Sequence, residues 1–84
     1  MSYLKFTNNN FMVLNFLYDV SVDGTIVHIT QQEIADKLGF SRSTISKIMN
    51  FLIIEQYIGV DKEHLGRYSL TDKSTRLVNV FRSV

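Results

Sequence analysis

The 84 residues predict a mainly helical α+β fold running helix, strand, helix, helix, two-stranded hairpin, helix. Three features lead there. Thr30–Gln31–Gln32–Glu33 has the form of a capping box and opens a short amphipathic segment that stops at Gly39, after which Ser41 opens another. Two stretches alternating apolar with polar residues flank the Gly-containing segment Glu63–His64–Leu65–Gly66. A last apolar stripe at helical spacing follows Thr71.

Taken in order, Asn8, Asn9 and Asn10 precede an apolar segment, and Asn is a favoured N-cap, so a helix is expected over Phe11 to Val20. At about 100° per residue, Phe11, Leu14, Leu17 and Tyr18 occupy one arc of it and Met12, Val13, Phe16 and Val20 the opposite arc. A surface helix of a small domain needs one apolar stripe. Two stripes point to a dimer interface on Phe11, Met12, Val13 and Phe16, aided by Val80 and Phe81 of the last helix. Asp23–Gly24 then breaks the chain, and Thr25 to Ile29 is β-branched and strand-like.

The capped helix beginning after Thr30 has Ile34, Ala35 and Leu38 on one side, with Gly39 able to take the left-handed conformation that ends helices. In the next helix, Ile45, Ile48, Met49 and Leu52 form a core stripe opposite Ser43, Ser46, Lys47 and Asn50, with no acid on the exposed face before Glu55. Tyr57 to Lys62 and Arg67 to Thr71 form the hairpin, with Ile58, Val60, Tyr68 and Leu70 as its apolar positions. Thr71 caps the last helix, whose stripe is Leu77, Val80, Phe81 and Val84, with Lys73, Arg76 and Arg82 off it.

Composition narrows the function. With 45% hydrophobic and 20% charged residues, 4 Gly and 0 Pro, the chain is globular and not disordered or collagenous. A chain of this length makes one domain, here residues 1–84, with a thin core that an oligomer partner would help. With 0 Cys there is no disulfide framework and no thiolate metal site. No signal pattern or membrane-length apolar run is present, so a soluble, cytoplasmic protein is expected.

The net charge of +1 is unevenly spread. Residues 1–40 carry Lys5 and Lys37 against Asp19, Asp23, Glu33 and Asp36, a net of −2, and the remainder carries +3. No metal-ligand spacing occurs, and neither His28 nor His64 stands in a nucleophile motif, so catalysis, metal and cofactors are not expected. His28 is read as a structural residue.

Two short helices joined by a Gly-containing turn, the second polar and acid-free outside, have the sequence form of a helix-turn-helix. Ala35 allows close crossing, and Ile34, Leu38, Ile45 and Ile48 supply the shared core. The segment from Thr30 to Leu52, TQQEIADKLGFSRSTISKIMNFL, resembles that of winged helix-turn-helix transcription regulators, most nearly the MarR and ArsR groups. The resemblance continues through EQYIGV at 55–60, like the exit into a wing, and YSLTDK at 68–73, like the opening of the helix after it. It covers roughly residues 25 to 77.

By position the resemblance implies that Ser41, Arg42, Ser43, Thr44, Ser46, Lys47 and Asn50 face the DNA major groove or its flanking phosphates. Lys62, His64 and Arg67 would be wing residues near the minor groove, beside the acids Asp61 and Glu63. The expected function is sequence-specific binding of double-stranded DNA by a small, homodimeric transcription regulator with no evident small-molecule effector. Two alternatives stay open: a plasmid or viral replication or partition protein, and a winged helix used only for protein contact.

Overall fold

A computed structural model describes residues 8–83. Four helices and three short strands follow in the expected order: α1 (Asn8–Val20), β1 (Ile26–His28), α2 (Gln31–Leu38), α3 (Arg42–Ile54), β2 (Ile58–Val60), β3 (Arg67–Leu70) and α4 (Asp72–Arg82). The strands make one antiparallel sheet in the order β1-β3-β2, with Val27 opposite Tyr68 and Val60 opposite Tyr68 on its other edge. The expected hairpin is thus two-thirds of a sheet whose third strand arrives from before the helix-turn-helix.

Local chemistry sets the element boundaries. Thr30 Oγ1 accepts from the Glu33 amide at 3.1 Å while Glu33 Oε1 accepts from the Thr30 amide at 3.0 Å, completing the capping box. That bond to the Thr30 amide holds the Glu33 carboxyl below its ordinary range. Gly39 closes α2 at φ 75°, with its amide on the Ala35 carbonyl. Ser41 and Thr71 cap α3 and α4 through bonds to the Thr44 and Ser74 amides.

One core joins all seven elements. Val13, Leu14 and Leu17 of α1 meet Ile45, Ile48, Met49 and Leu52 of α3, with Ile34, Ala35, Val27, Ile58, Tyr57, Tyr68, Leu77 and Val78 completing it. The Ile45, Ile48, Met49, Leu52 stripe is buried as the periodicity predicts.

Several expectations are corrected. The three Asn residues lie inside α1, which already begins at Asn8, and Asn10 is buried. The buried arc of α1 straddles the two predicted arcs, taking Leu14 and Leu17 from one and Val13 from the other, because α3, α4 and β1 pack around that side. Val13 is therefore core and not interface. Phe16 is half-buried against the same core.

In α4 the inward positions are Ser74, Leu77 and Val78, which leaves Val80 exposed, and Val84 lies outside the described residues. Val60 is exposed at the sheet edge, as is His28, which stands opposite Arg67 and supports no core. Truncating Leu17, at 0% exposure between α1 and α3, removes contacts that nothing nearby can replace. Leu17→Ala should cost about 2–5 kcal/mol of stability in denaturant unfolding, whereas Met12→Ala should cost less than about 1 kcal/mol.

Candidate nucleic-acid interface

Because the apolar stripe of α3 is consumed by the core, its other face must look outward. Arg42, Ser43, Lys47 and Asn50 are exposed there, and Thr44 and Ser46 are half-buried beside them. Ser41 spends its hydroxyl on the cap, accepting from the Thr44 amide at 3.2 Å and donating to Thr44 Oγ1 at 2.9 Å. The side chains of Arg42, Lys47 and Asn50 carry no hydrogen bond or ion pair among the described residues. The face therefore offers two free cations and a free amide, with no acid in the first turn of the helix.

The wing is built differently. Its loop turns at Gly66, φ 80°, where a Cβ would come 3.3 Å from the Ile29 carbonyl oxygen. Asp61 organises the loop from inside: Oδ1 accepts from the Glu63 amide at 2.9 Å, and Oδ2 lies 3.2 Å from His64 Nδ1 and 3.9 Å from Arg67 Nε. The Glu63 amide bond, then the His64 bond and the charges of His64 and Arg67, hold the Asp61 carboxyl below its usual range.

Of the three predicted wing residues, two are therefore partnered by an acid of the same loop. Lys62 alone of the three is exposed without a described ion pair. The apolar side chain of Leu65 is 96% exposed at the loop.

The wing loop gathers three neighbouring side chains that sequence spacing did not single out as a cluster. Asp61, Glu63 and His64 offer ligand atoms within 4.8 Å of one another, beside an open depression of about 500 Å³ lined partly by Ile26, Val60 and Tyr68. Both Asp61 oxygens are already engaged, Oδ1 by the Glu63 amide and Oδ2 by the His64 ring. The proposed DNA residues fall into two separate groups: an α3 set in which Arg42, Lys47 and Asn50 are unpaired among the described residues while Ser41, Ser43 and Thr44 bond to one another, and a largely self-paired set on the wing.

Comparison with known proteins fixes the family at this point. The Crp-like helix-turn-helix domain matches residues 13–74, from within α1 to the start of α4. The chain belongs to that family. It is a DNA-binding, transcription-regulator type of domain, and the family shown is Crp-like where the sequence motifs resemble the MarR and ArsR groups.

Among solved structures, the reduced, Fe(II) form of a carbon-monoxide-sensing protein from R. rubrum is 29% identical with a TM-score of 0.75, over 90% of this chain and 38% of that one. MepR of S. aureus in complex with DNA is 28% identical with a TM-score of 0.68, over 92% of this chain and 62% of that one. A CRP/FNR-family transcriptional regulator from Thermus thermophilus, at 21% identity and a TM-score of 0.68 over 90% of this chain and 43% of its own, shares the fold. The Crp-like domain thus spans about two-fifths to three-fifths of the chains it resembles. No curated protein matches it by sequence.

The self-pairing of the wing has a measurable consequence for a domain of this type. Asp61→Asn releases Arg67 and removes a negative charge, so the dependence of log Kd on log salt for a duplex should steepen by about 0.9 per cation gained. Fluorescence-anisotropy titrations across a salt series measure it.

Proposed function

We propose that this Crp-like domain binds double-stranded DNA sequence-specifically, placing α3 in the major groove as the reading element of a dimeric transcription regulator. The observation carrying the reading is the unpaired, exposed set Arg42, Lys47 and Asn50 on a helix whose other face is locked in the core. Asn presents a donor and an acceptor side by side, which suits adenine, while Lys and Arg near phosphates gain from counterion release. Ser41, Ser43, Thr44 and Ser46 supply short hydroxyls at the helix start, where the groove and backbone are nearest.

On this reading Lys62, His64 and Arg67 lie near the flanking minor groove, with Asp61 limiting their contribution. The resemblance of MepR, crystallised with DNA, supports a nucleic-acid partner. The MarR- or ArsR-like motifs, a cytoplasmic location and action as one unit over residues 1–84 belong to the same proposal. No helix among the described residues is long and apolar enough to cross a membrane.

Dimerisation is proposed through the α1–α4 face. Phe11 and Phe81 pack there with ring centroids 4.5 Å apart, and Met12, Val80 and Phe81 remain 44%, 60% and 50% exposed. A twofold pair would present two α3 helices, which reach successive major grooves when about 34 Å apart, so the preferred site is an inverted repeat with half-sites about 10 base pairs apart. The self-paired wing favours one second reading, a winged helix used for protein contact; absence of DNA affinity even at low salt would select it.

Two experiments test the proposal. In selection from a random DNA pool, Asn50→Ala should relax base preference at one position per half-site, losing about 1–3 kcal/mol of discrimination, whereas Lys47→Ala should weaken all sequences alike and reduce the salt slope by about 1. Unchanged binding in both, with the fold intact, sinks the groove assignment. In analytical ultracentrifugation, Phe81→Glu should convert dimers to monomers, since burying an aromatic side chain is worth about 1.5–3 kcal/mol; a wild type that is monomeric at high micromolar concentration removes the interface.

A further inference from the structure

The end of α3 is held by residues that belong to neither its own sequence nor the groove-facing set. The helix closes with the Tyr57 amide on the Leu52 carbonyl at 2.8 Å and the Gln56 amide on the Ile53 carbonyl at 3.1 Å, the paired bonds of a Schellman motif. That motif puts its turning residue in the left-handed region, normally glycine, and here Gln56 sits there at φ 62°. The helix also lacks a basic residue in its last turn, and its C-cap is the acid Glu55. Left to itself, this helix end has the wrong residue for its backbone and the wrong charge for its dipole.

Both defects are answered from the start of α4. Lys73 Nζ donates to the Glu55 carbonyl at 2.7 Å and lies 4.4 Å from the centroid of the Tyr57 ring. Thr71 Oγ1 donates to the Gln56 carbonyl at 2.7 Å and lies 3.1 Å from that of Tyr57, while the Thr71 amide donates to the Tyr57 carbonyl at 3.3 Å. The same hydroxyl caps α4 by accepting from the Ser74 amide. The carbonyls of three consecutive residues just beyond α3 are thus gripped by two residues at the head of α4.

We propose that Lys73 is a positioning residue for DNA recognition, which with Thr71 clasps the C-terminal end of α3 to α4 and so fixes the direction of the Lys47 and Asn50 face relative to α4. It is not a phosphate ligand, although it is an exposed lysine on a DNA-binding type of domain. Its ammonium is already committed to a helix-terminal carbonyl and an aromatic face, both favourable for a cation. The functional part of this inference rests on the DNA-binding reading above; the clasp itself does not.

The test separates the two. Lys73→Met keeps the aliphatic stem over Tyr57 and removes the donor and charge, and Lys73→Arg keeps both. Hydrogen exchange followed by NMR should show the Gln56 and Tyr57 amides of Lys73→Met exchanging about three- to tenfold faster, with Lys73→Arg near wild type. Duplex titrations over a salt series should show Lys73→Met binding about three- to tenfold more weakly with an unchanged log–log slope, in contrast to Lys47→Ala. A slope reduced by about 1 with exchange unchanged makes Lys73 a phosphate contact and overturns the inference. Failure of the wild type to bind any duplex removes the function proposed above, and the clasp is then decided by exchange alone: unchanged Gln56 and Tyr57 protection in Lys73→Met disproves it.

Discussion

Burial of the Ile45, Ile48, Met49, Leu52 stripe against α1 is the constraint on which the rest of the molecule depends. Each of those side chains is at most 6% exposed, and Val13, Leu14 and Leu17 meet them at 0%. A helix has only one rotation about its axis that hides such a stripe, so hiding it orients every other side chain of α3. The outward direction of Arg42, Lys47 and Asn50 follows from core packing and needs no interaction of its own. This separation lets the outer face vary in chemistry while the inner face keeps the domain folded.

A core of this size also explains how the secondary elements are secured. None of the strands exceeds four residues, too short to be stable alone, and the sheet depends on β1 closing against β3. Gly59 shows how close that packing is, since a Cβ there would stand 2.6 Å from Ser69 Oγ on the neighbouring strand. At the other end of the domain, Arg82 of α4 donates to Asn15 and Asp19 of α1 and lies over the Tyr18 ring, so the two terminal helices are joined by polar bonds beside their Phe11–Phe81 contact. Exposed ion pairs of this kind add little stability individually; what they supply here is a fixed geometry for the face between α1 and α4.

Charge is distributed by the same economy. On α3 the cations have no partner among the described residues, which leaves their field available to an anionic polymer. On the wing, Asp61 meets its own needs and those of His64 and Arg67 at once. Lys73, equally basic in composition, is spent on the end of a helix. Counting lysines and arginines would rank these positions alike, and only their partners distinguish them.

The sequence by itself determined what is local. The capping box at Thr30 and Glu33, the Ser41 and Thr71 caps, Gly39 and Gly66 at positive φ, and the α3 stripe all rest on bonds or spacings within about four residues, which a linear pattern displays directly. The polar face of α3 was legible for the same reason.

Tertiary structure decided what depends on distant partners. Helix α1 is apolar almost all round, so its periodicity could not say that Val13 would be buried with Leu14 and Leu17; the placement of α3, α4 and β1 chose that arc. The choice of Val78 over Val80 in α4 is of the same kind. The pairing of β1 with β3, the Lys73 bond to a carbonyl 18 positions earlier and the Arg82 bond to Asn15 across 67 positions have no counterpart in any short window of sequence. Local hydrogen bonding writes itself into residue order, whereas burial and long-range pairing are settled only when separate elements compete for one small core.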